Sequence, residues 1–247
     1  PAFGSEFLLA KTEIVAEEIQ QEEDNYVAAL EWGEANGADV VNSSLGYLDW
    51  YSYCDMDGNT AITTIGVDIA ASLGLACVTS AGNWANEDPP EDPCETLSYY
   101  ISAPADADSV IAVGAVSADS IITYFSSRGP TYDGRIKPEV SALGVGVAVA
   151  NPAGGYSVFY SGTSASSPLV AGAAAVLLSA NPQWNNMEVR EALMMTASQA
   201  DMPNNDYGHG LVNIWSALFY NSSGSIITTK PPQFFSLDKA YPNPFNP

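Results

Sequence analysis

Short apolar runs alternate with segments of helical periodicity along the first half of the chain. The apolar runs predict β-strands at residues 7–12, 38–46, 75–83 and 108–116. Two helical segments, residues 24–37 and 60–74, lie between the first three runs; we expect Asp24 and Thr60 to cap them and Gly37 and Gly74 to stop them. Strands and helices that alternate with short connections are typical of parallel βαβ units. The pattern therefore predicts an α/β fold with a mainly parallel sheet.

The second half of the chain carries three further helical patterns. They cover residues 164–180, residues 186–198 and residues 212–220. No apolar segment reaches the roughly 18 to 20 residues that a membrane span requires, and the best candidate, residues 168–180, is too short. From residue 221 the sequence is small, polar and proline-bearing, which predicts a linker over residues 221–235.

Composition narrows the classes of function. An apolar fraction of 47% is sufficient for a sizeable core, whereas 29 acidic against 7 basic residues give a formal net charge of −22. Nucleic-acid binding requires a basic surface, so nucleic acid is excluded as an expected partner. The acidic excess favours solubility and does not identify a fold.

The three cysteines occupy two kinds of sequence. Cys77 lies in a predicted strand, where a free thiol would pack in the core. Cys54 and Cys94 lie in turn-rich segments, each of which follows a predicted strand. Because the carboxyl ends of parallel strands share one edge of the sheet, we expect these two loops to be neighbours and to be joined by a disulfide if the protein is exported.

Ser164 lies in the run GTSASSPLVAG, residues 162–172, where an apolar helix begins. Taken alone, a serine in this position is an N-cap. It also faces the positive end of the helix dipole, and its own backbone N–H points toward any anion that forms beside it. Acyl transfer has to stabilise an oxyanion, so a serine nucleophile is the competing interpretation.

The same run resembles the active-site serine motif of the subtilisin-like serine proteases, although Ala165 and Leu169 replace the residues most usual there. The resemblance implies a three-layer α/β/α fold with a mainly parallel sheet and a nucleophile at Ser164. It extends over most of the chain through the segments VVNSSLG, TSAGN, YISAPADADSVIAVGAV and YGHGLVN.

The resemblance also implies the substrate-binding residues, which are Ser44, Leu45, Gly46, Ala81, Gly82 and Ser102. The first three would pair with the backbone of an extended peptide, and Ser102 would form the floor of the first specificity pocket. Asn83 would donate its side-chain amide to the oxyanion, and the bond before Pro104 would be cis. The implied substrates are polypeptides.

Two catalytic elements of this family are missing from the chain. The family's acid and base lie in Asp-x-Gly and His-Gly-Thr segments ahead of the substrate strand, and no histidine precedes Val40. We therefore expect residues 1–220 to be the C-terminal portion of a secreted endopeptidase domain, and this portion alone to be inactive. A non-catalytic pseudoprotease or peptide-binding surface module is the alternative, and the upstream sequence would distinguish the two.

His209, the only histidine, suggests a second enzymatic alternative. With Asp201 or Asp206 as the acid, it would complete the order serine, acid, histidine of an α/β-hydrolase esterase. That fold requires a Gly-x-Ser-x-Gly elbow after a strand, whereas Ser166 holds the last glycine position and we predict no strand leading into Gly162. An ordinary loop histidine is the favoured interpretation.

The segment CDMDGNT offers oxygen ligands at Asp55, Asp57 and Asn59 but lacks the spacing of a complete calcium loop. We predict a solvated turn there. The chemistry implied by the resemblance requires no cofactor, and structural calcium, which is common in the family, cannot be assigned to residues of this chain.

Residues 236–247 resemble the opening of the C-terminal sorting domains that follow exported bacterial enzymes. Such domains address an enzyme to a cell-surface secretion machinery. The resemblance therefore implies a second, truncated domain in this region, and a secreted or cell-surface location.

Overall fold

The computed structural model of the chain describes residues 2–14, 16, 18–86, 88–92, 94 and 98–221. The helices of this part are α1 (Gln21–Ala35), α2 (Ile62–Ser72), α3 (Thr163–Ala180), α4 (Asn186–Met195) and α5 (Ile214–Ala217), with one turn of 3₁₀ helix at Tyr53–Asp55. The strands are β1 (Val40–Ser43), β2 (Ala76–Ser80), β3 (Ile111–Val116), β4 (Val140–Leu143), β5 (Val147–Ala150) and β6 (Tyr156–Tyr160). Apart from Asn221, the predicted linker and sorting domain lie outside the described residues.

Four strands form one parallel sheet in the order β1-β2-β3-β4. The two central strands, β2 and β3, are buried along their whole length, as their continuous apolar sequences require. Strands β5 and β6 form a separate antiparallel hairpin. The predicted α/β fold with a mainly parallel sheet is confirmed.

Helices cover both faces of the sheet. Val78 of β2 packs in a core cluster with Leu177 of α3 and Leu193 of α4. Its neighbour Cys77 packs in a second cluster, with Val67 of α2 and residues of α1. Because successive side chains of a strand point to opposite faces, the two clusters lie on opposite sides of the sheet. The expected three-layer α/β/α arrangement is therefore confirmed.

Helix α3 is the central helix of its layer and packs against all four strands of the parallel sheet. It begins at Thr163, and its 18 residues have a mean hydropathy of 1.4, which by length and composition alone is sufficient to cross a membrane. The expectation that no segment is long enough is therefore wrong, because it counted only residues 168–180. Core helices meet the same criterion, and the packing of α3 on the sheet is that of a core helix.

The predicted strand over residues 7–12 is wrong. The segment forms no strand, and Phe7 and Leu9 are 74% and 87% exposed. Among the described residues no strand lies beside it, and the carbonyl of Thr12 instead accepts a hydrogen bond from the Asn25 side chain at 2.9 Å. An apolar run becomes a strand only where a partner strand satisfies its backbone groups.

Both predicted N-caps are wrong, and both predicted helix stops are confirmed. Helix α1 begins three residues before Asp24, which lies in its first turn near the positive end of the helix dipole. Thr60 precedes the N-cap of α2 and donates its hydroxyl to Asp57 at 3.2 Å. Gly37 and Gly74 follow their helices at positive φ, 77° and 111°, as C-terminal glycines do.

The predicted disulfide is confirmed. Cys54 and Cys94 are joined, with their Cα atoms 5.1 Å apart. Cys77 is a buried free thiol, and burial raises its pKa to about 12. The bridge connects the loop after β1 to the loop after β2, as the shared edge of parallel strands predicts.

Candidate active site

The carboxyl ends of β1, β2 and β4 meet the N-terminus of α3. Gly162 caps this helix with a φ of 145°, a conformation that side chains rarely permit. Its amide donates to the carbonyl of Gly144, the residue after β4, at 2.8 Å. This turn places Ser164, the second residue of α3, at the carboxyl edge of the sheet.

Ser164 and Ser44 are joined by two reciprocal hydrogen bonds. The Ser164 hydroxyl donates to the Ser44 carbonyl at 3.2 Å, and the Ser44 hydroxyl donates to the Ser164 carbonyl at 3.1 Å. The second bond depends on Pro168. Pro168 is the sixth residue of α3, and it offers no N–H to the carbonyl of Ser164.

Two N–H donors near the Ser164 hydroxyl are left without acceptors. The Asn83 side-chain oxygen accepts from the amide and the hydroxyl of Thr163, at 2.8 and 3.1 Å, which fixes the orientation of the side chain. Its Nδ2 group lies beside Gly162 and, like the amide of Ser164, makes no hydrogen bond within the described part of the chain. Two free donors next to a serine hydroxyl can hold an oxyanion.

Residues 44–46 leave backbone groups free at the edge of the sheet. The pairing of β1 with β2 ends at Ser43, and Gly46 beyond it is exposed. The Leu45 carbonyl is already engaged, since it accepts from Ser80 Oγ at 3.2 Å. The amide and carbonyl of Gly46 have no partner among the described residues, so an extended peptide can pair with them.

Ala81 and Gly82 form the opposite wall, and both are buried. The Ala81 amide donates to Val113 of β3 at 3.1 Å. Gly82 has a φ of 112°, and a Cβ there would lie 2.7 Å from the hydroxyl of Ser127. The Gly82 amide donates to Thr163 Oγ1 at 3.2 Å, which joins this wall to the first residue of α3. The contact of Ala81 and Gly82 with a substrate stays a prediction.

Ser102 lies between the two walls and is 1% exposed. Its hydroxyl has no hydrogen-bond partner among the described residues and lies 2.5 Å from the position that a Cβ on Gly46 would occupy. Its amide donates to the Ala81 carbonyl at 3.4 Å. The following bond, Ala103–Pro104, is cis, as predicted. Ser102 thus closes the space between residues 44–46 and 81–82.

His209 lies at the opposite end of β4 from Ser164. Its amide donates to Glu139, the residue before β4, whereas the turn that leads to Ser164 is bonded to Gly144, the residue after β4. Five residues of strand span about 16 Å, so His209 is outside hydrogen-bonding distance. Burial lowers the pKa of His209, and Asp206 is engaged by Arg128 at 2.7 Å.

The hydrolase alternative needs one correction. A strand does lead toward Gly162, because β6 ends two residues before it, whereas the sequence predicted none. That strand belongs to the antiparallel hairpin and not to the parallel sheet, so it does not form a nucleophile elbow. Within the described residues, no histidine or carboxylate hydrogen-bonds to the hydroxyl of Ser164.

The predicted turn at Asp57 is held by local hydrogen bonds. The Asp57 carboxylate accepts from the Asn59 amide at 2.8 Å, and Asp55 accepts from the amide and hydroxyl of Ser52.

The group of three carboxylates that lie close enough to share a metal ion in the described part is elsewhere, at Glu13, Glu18 and Glu22. Repulsion from its acidic neighbours adds to desolvation in raising the pKa of Glu18.

Three residues that contact the site were not singled out from the sequence. Thr163 orients Asn83, and Ser167 donates to Asn42 Oδ1 at 2.8 Å, which joins α3 to β1. Thr163 could have been found, because it precedes the nucleophile in the motif. The contact between residues 42 and 167 depends on packing and leaves no local signal.

Comparison with known proteins assigns the chain to a family. Residues 9–210 match the Subtilase family, Peptidase_S8. Subtilisin E from Bacillus subtilis (strain 168) is 38% identical over 192 residues, which cover 77% of this chain and 44% of that protein. A subtilisin from Bacillus pumilus is 37% identical over 77% of this chain and 60% of its own length. The chain thus spans about half the length of the relatives that it matches.

Solved structures show the same fold. The prenylagaramide maturation protease PagA has a TM-score of 0.64 and 25% identity, over 82% of this chain and 68% of that chain. The MycP3 protease from the type VII (ESX-3) secretion system has a TM-score of 0.64 at 24% identity, over 81% of this chain and 59% of its own. The second likeness concerns the fold alone.

Proposed function

The chain belongs to the subtilase family, and we propose that it is the part of a serine endopeptidase that carries the nucleophile and the oxyanion-binding groups. The observation that carries the proposal is the pair of donors at the start of α3. The Ser164 amide and Asn83 Nδ2 lie 3.7 and 3.5 Å from the Cβ position of Gly162, and neither has an acceptor in the described part of the chain. The competing interpretation of Ser164 as an N-cap is wrong, because Gly162 is the N-cap of α3 and Ser164 is the second residue of the helix.

In this proposal Ser164 Oγ attacks the scissile carbonyl of a polypeptide and forms an acyl-enzyme, which water then hydrolyses. The two donors hold the negative charge of each tetrahedral intermediate. The general base and its acid are a histidine and an aspartate upstream of Pro1, as the resemblance implies. Residues 1–220 are then the C-terminal portion of the peptidase domain and are inactive alone.

The substrate backbone pairs with the free groups of Gly46 and with the carbonyl of Ser44, which gives up its contact with Ser164 Oγ. The side chain before the scissile bond enters the space that Ser102 closes. Both assignments are supported by the positions of these backbone groups beside Ser164. No cofactor takes part in these steps, and structural calcium is left without assigned ligands.

We also propose that the protein acts outside the cell or at its surface. The disulfide between Cys54 and Cys94 supports this, because disulfides persist in oxidising compartments. Residues 236–247, by their resemblance to sorting domains, would direct the enzyme to a surface secretion machinery after a linker at residues 221–235.

The test uses the full-length gene product, with peptide hydrolysis and fluorophosphonate labelling as readouts. Ser164→Ala is expected to abolish both. Asn83→Ala is expected to lower kcat far more than it changes KM, since the oxyanion exists only near the transition state. Removing one such donor from a member of this family lowers kcat by about 10²–10³-fold. Asn36→Ala, an exposed asparagine at the end of α1, is the matched control.

Three outcomes would contradict the proposal. Hydrolysis that survives in Ser164→Ala would remove this serine from the mechanism. A well-folded full-length protein that binds peptides but neither hydrolyses them nor reacts with the fluorophosphonate would favour the pseudoprotease. Peptide hydrolysis by a fragment of residues 1–220 would place the general base within this chain.

A further inference from the structure

We propose that Asn42 is a positioning residue for the nucleophile, acting through the hydroxyl of Ser44. The inference rests on the proposed function and adds a side chain that neither the motif nor the oxyanion geometry identifies. It concerns a chain of hydrogen bonds that runs from α3 to β1 and back to Ser164.

Four hydrogen bonds form this chain. Ser167, which is fully buried in α3, donates to Asn42 Oδ1 at 2.8 Å. Asn42 Nδ2 donates to the Ser44 hydroxyl at 3.3 Å. The Ser44 hydroxyl donates to the Ser164 carbonyl, and the Ser164 hydroxyl returns to the Ser44 carbonyl. Helix α3 is thereby connected to the β1 region at two points, Ser164 and Ser167, which lie about one turn apart along the helix.

The direction of each bond follows from the donor inventory. Because Oδ1 of Asn42 accepts from Ser167, its amide group is the end that faces Ser44. A serine hydroxyl has one proton, and when its lone pair accepts from Asn42 that proton is directed to the Ser164 carbonyl. Pro168 has left this carbonyl without its intrahelical donor, so the Ser44 hydroxyl supplies the missing bond.

Loss of these hydrogen bonds should displace the nucleophile more than it weakens the binding of peptide. The Ser44 backbone pairs with the substrate while its side chain holds the first turn of α3, so one residue sets the distance between peptide and nucleophile. Misplacement of a reacting group by about 1 Å can lower a rate about 10²-fold. The free backbone groups of Gly46 do not depend on Asn42, so peptide binding should persist.

Stability should fall only modestly, since the one buried group that loses its acceptor is the Ser167 hydroxyl. Asn42 is exposed, and its backbone is held by the parallel pairing of β1 with β2. Removal of its side chain leaves the Ser44 hydroxyl free to rotate and the Ser167 hydroxyl without an acceptor. We therefore expect kcat to fall about 10-fold or more with KM within about twofold, and the rate of fluorophosphonate labelling to fall in parallel with kcat.

The experiment compares Asn42→Ala, Ser167→Ala and the double variant in the full-length protein, with Asn36→Ala as control. If both residues act through one chain, the double variant loses no more kcat than the more damaged single variant. Thermal midpoints are measured for each, and if Asn42→Ala does not fold, Ser167→Ala alone carries the test through its effects on kcat and KM.

An Asn42→Ala enzyme with unchanged kcat, or with raised KM at unchanged kcat, would overturn the inference, and so would a double variant in which the two losses multiply. Ser164→Ala separates this failure from failure of the proposed function. If Ser164→Ala is inactive while Asn42→Ala is normal, only the positioning role is wrong; if Ser164→Ala remains active, the proposed function itself fails.

Discussion

The hydroxyl of Ser102 is buried between residues 44–46 and 81–82, and it has no hydrogen-bond partner in the part of the chain that the structure describes. The hydroxyl is 2.5 Å from where a Cβ of Gly46 would lie, so it occupies the space beside the backbone of Gly46. In the proposed function the side chain before the scissile bond enters this space, and we therefore expect the enzyme to prefer a small residue there.

We expect Ser102→Gly to raise kcat/KM for peptides with a large apolar residue at that position, relative to alanine, by about 10-fold or more, since one methylene-sized change is worth about 10–200-fold. Paired peptide substrates with the full-length enzyme measure the ratio. Ser120→Gly, at an exposed turn with a φ of 63°, is the control. An unchanged ratio would mean that Ser102 does not limit the pocket.

We expect His209 to have a pH-dependent effect on stability and no role in turnover. Burial lowers its pKa, so the unfolded chain binds the proton more tightly than the folded chain. The contribution of neutral His209 to the stability of the fold is present above the usual pKa of about 6.5. It is lost as the pH falls through the pKa that His209 has in the folded chain. We expect His209→Gln to reduce the fall in melting temperature between pH 7 and pH 5 while hydrolysis at pH 8 is retained. Loss of hydrolysis would revive the histidine as a catalytic base.

At the scale of elements, β4 is connected to its surroundings by a buried charge network. Glu139 immediately precedes this strand and is 2% exposed; its carboxylate accepts from Lys137 at 2.8 Å, from Arg190 of α4 at 2.9 Å and from the Ala112 amide of β3 at 2.8 Å. Burial lowers the pKa of Lys137. The network fixes the position of β4. Gly144 follows this strand and accepts the hydrogen bond from Gly162, so the network also holds the turn that leads to Ser164.

Glu139→Gln removes the only carboxylate within salt-bridge distance of Lys137 in the described part of the chain. Breaking a buried ion pair from one side lowers the free energy of unfolding by about 3–5 kcal/mol, because the remaining charge stays unpaired. Urea denaturation measures the loss, with exposed Glu31→Gln on α1 as control. A loss under about 1 kcal/mol would show that the network contributes little.

The elements that could be predicted are those whose signal is local. The periodicity of α2 and α3 and the apolar runs of β1 to β3 are visible in any short window of sequence. Strands β4 to β6 were missed, because residues 140–160 mix small, polar and aromatic positions around a glycine turn. The strand expected at residues 7–12 fails for the opposite reason, since pairing is decided by a partner and not by the run itself.

The residues of the candidate site also divide into those with a local sequence signal and those without one. Ser164 and Asn83 could be proposed from contiguous motifs, whereas Asn42 and Ser167 lie 125 residues apart and meet only because α3 packs on β1. The closed space at Ser102 depends equally on a distance between two loops. Such contacts are properties of the packed molecule, and no single segment encodes them.

At the scale of the whole molecule, the disulfide between Cys54 and Cys94 closes a loop with a sequence separation of 40 residues. The chain-entropy estimate for such a loop is about 4 kcal/mol. We expect Cys54→Ser with Cys94→Ser to lower the unfolding free energy by about that amount in urea. Thiol titration of the unreduced chain should find none when native and one, Cys77, when unfolded. Two or more thiols in the unfolded, unreduced chain would contradict the bridge.

The same bridge bears on self-digestion. Exposed residues such as Asn86 and Asp88 lie between the two cysteines, on a loop that a peptidase at high concentration would present to its own neighbours. A single cut there leaves both ends covalently tied, so Asn83 stays on the same molecule as Ser164. Nicked enzyme would migrate as one band on a denaturing gel until a reductant is added. Autolysis at this loop would therefore be detected on a reducing gel before any loss of activity is measured.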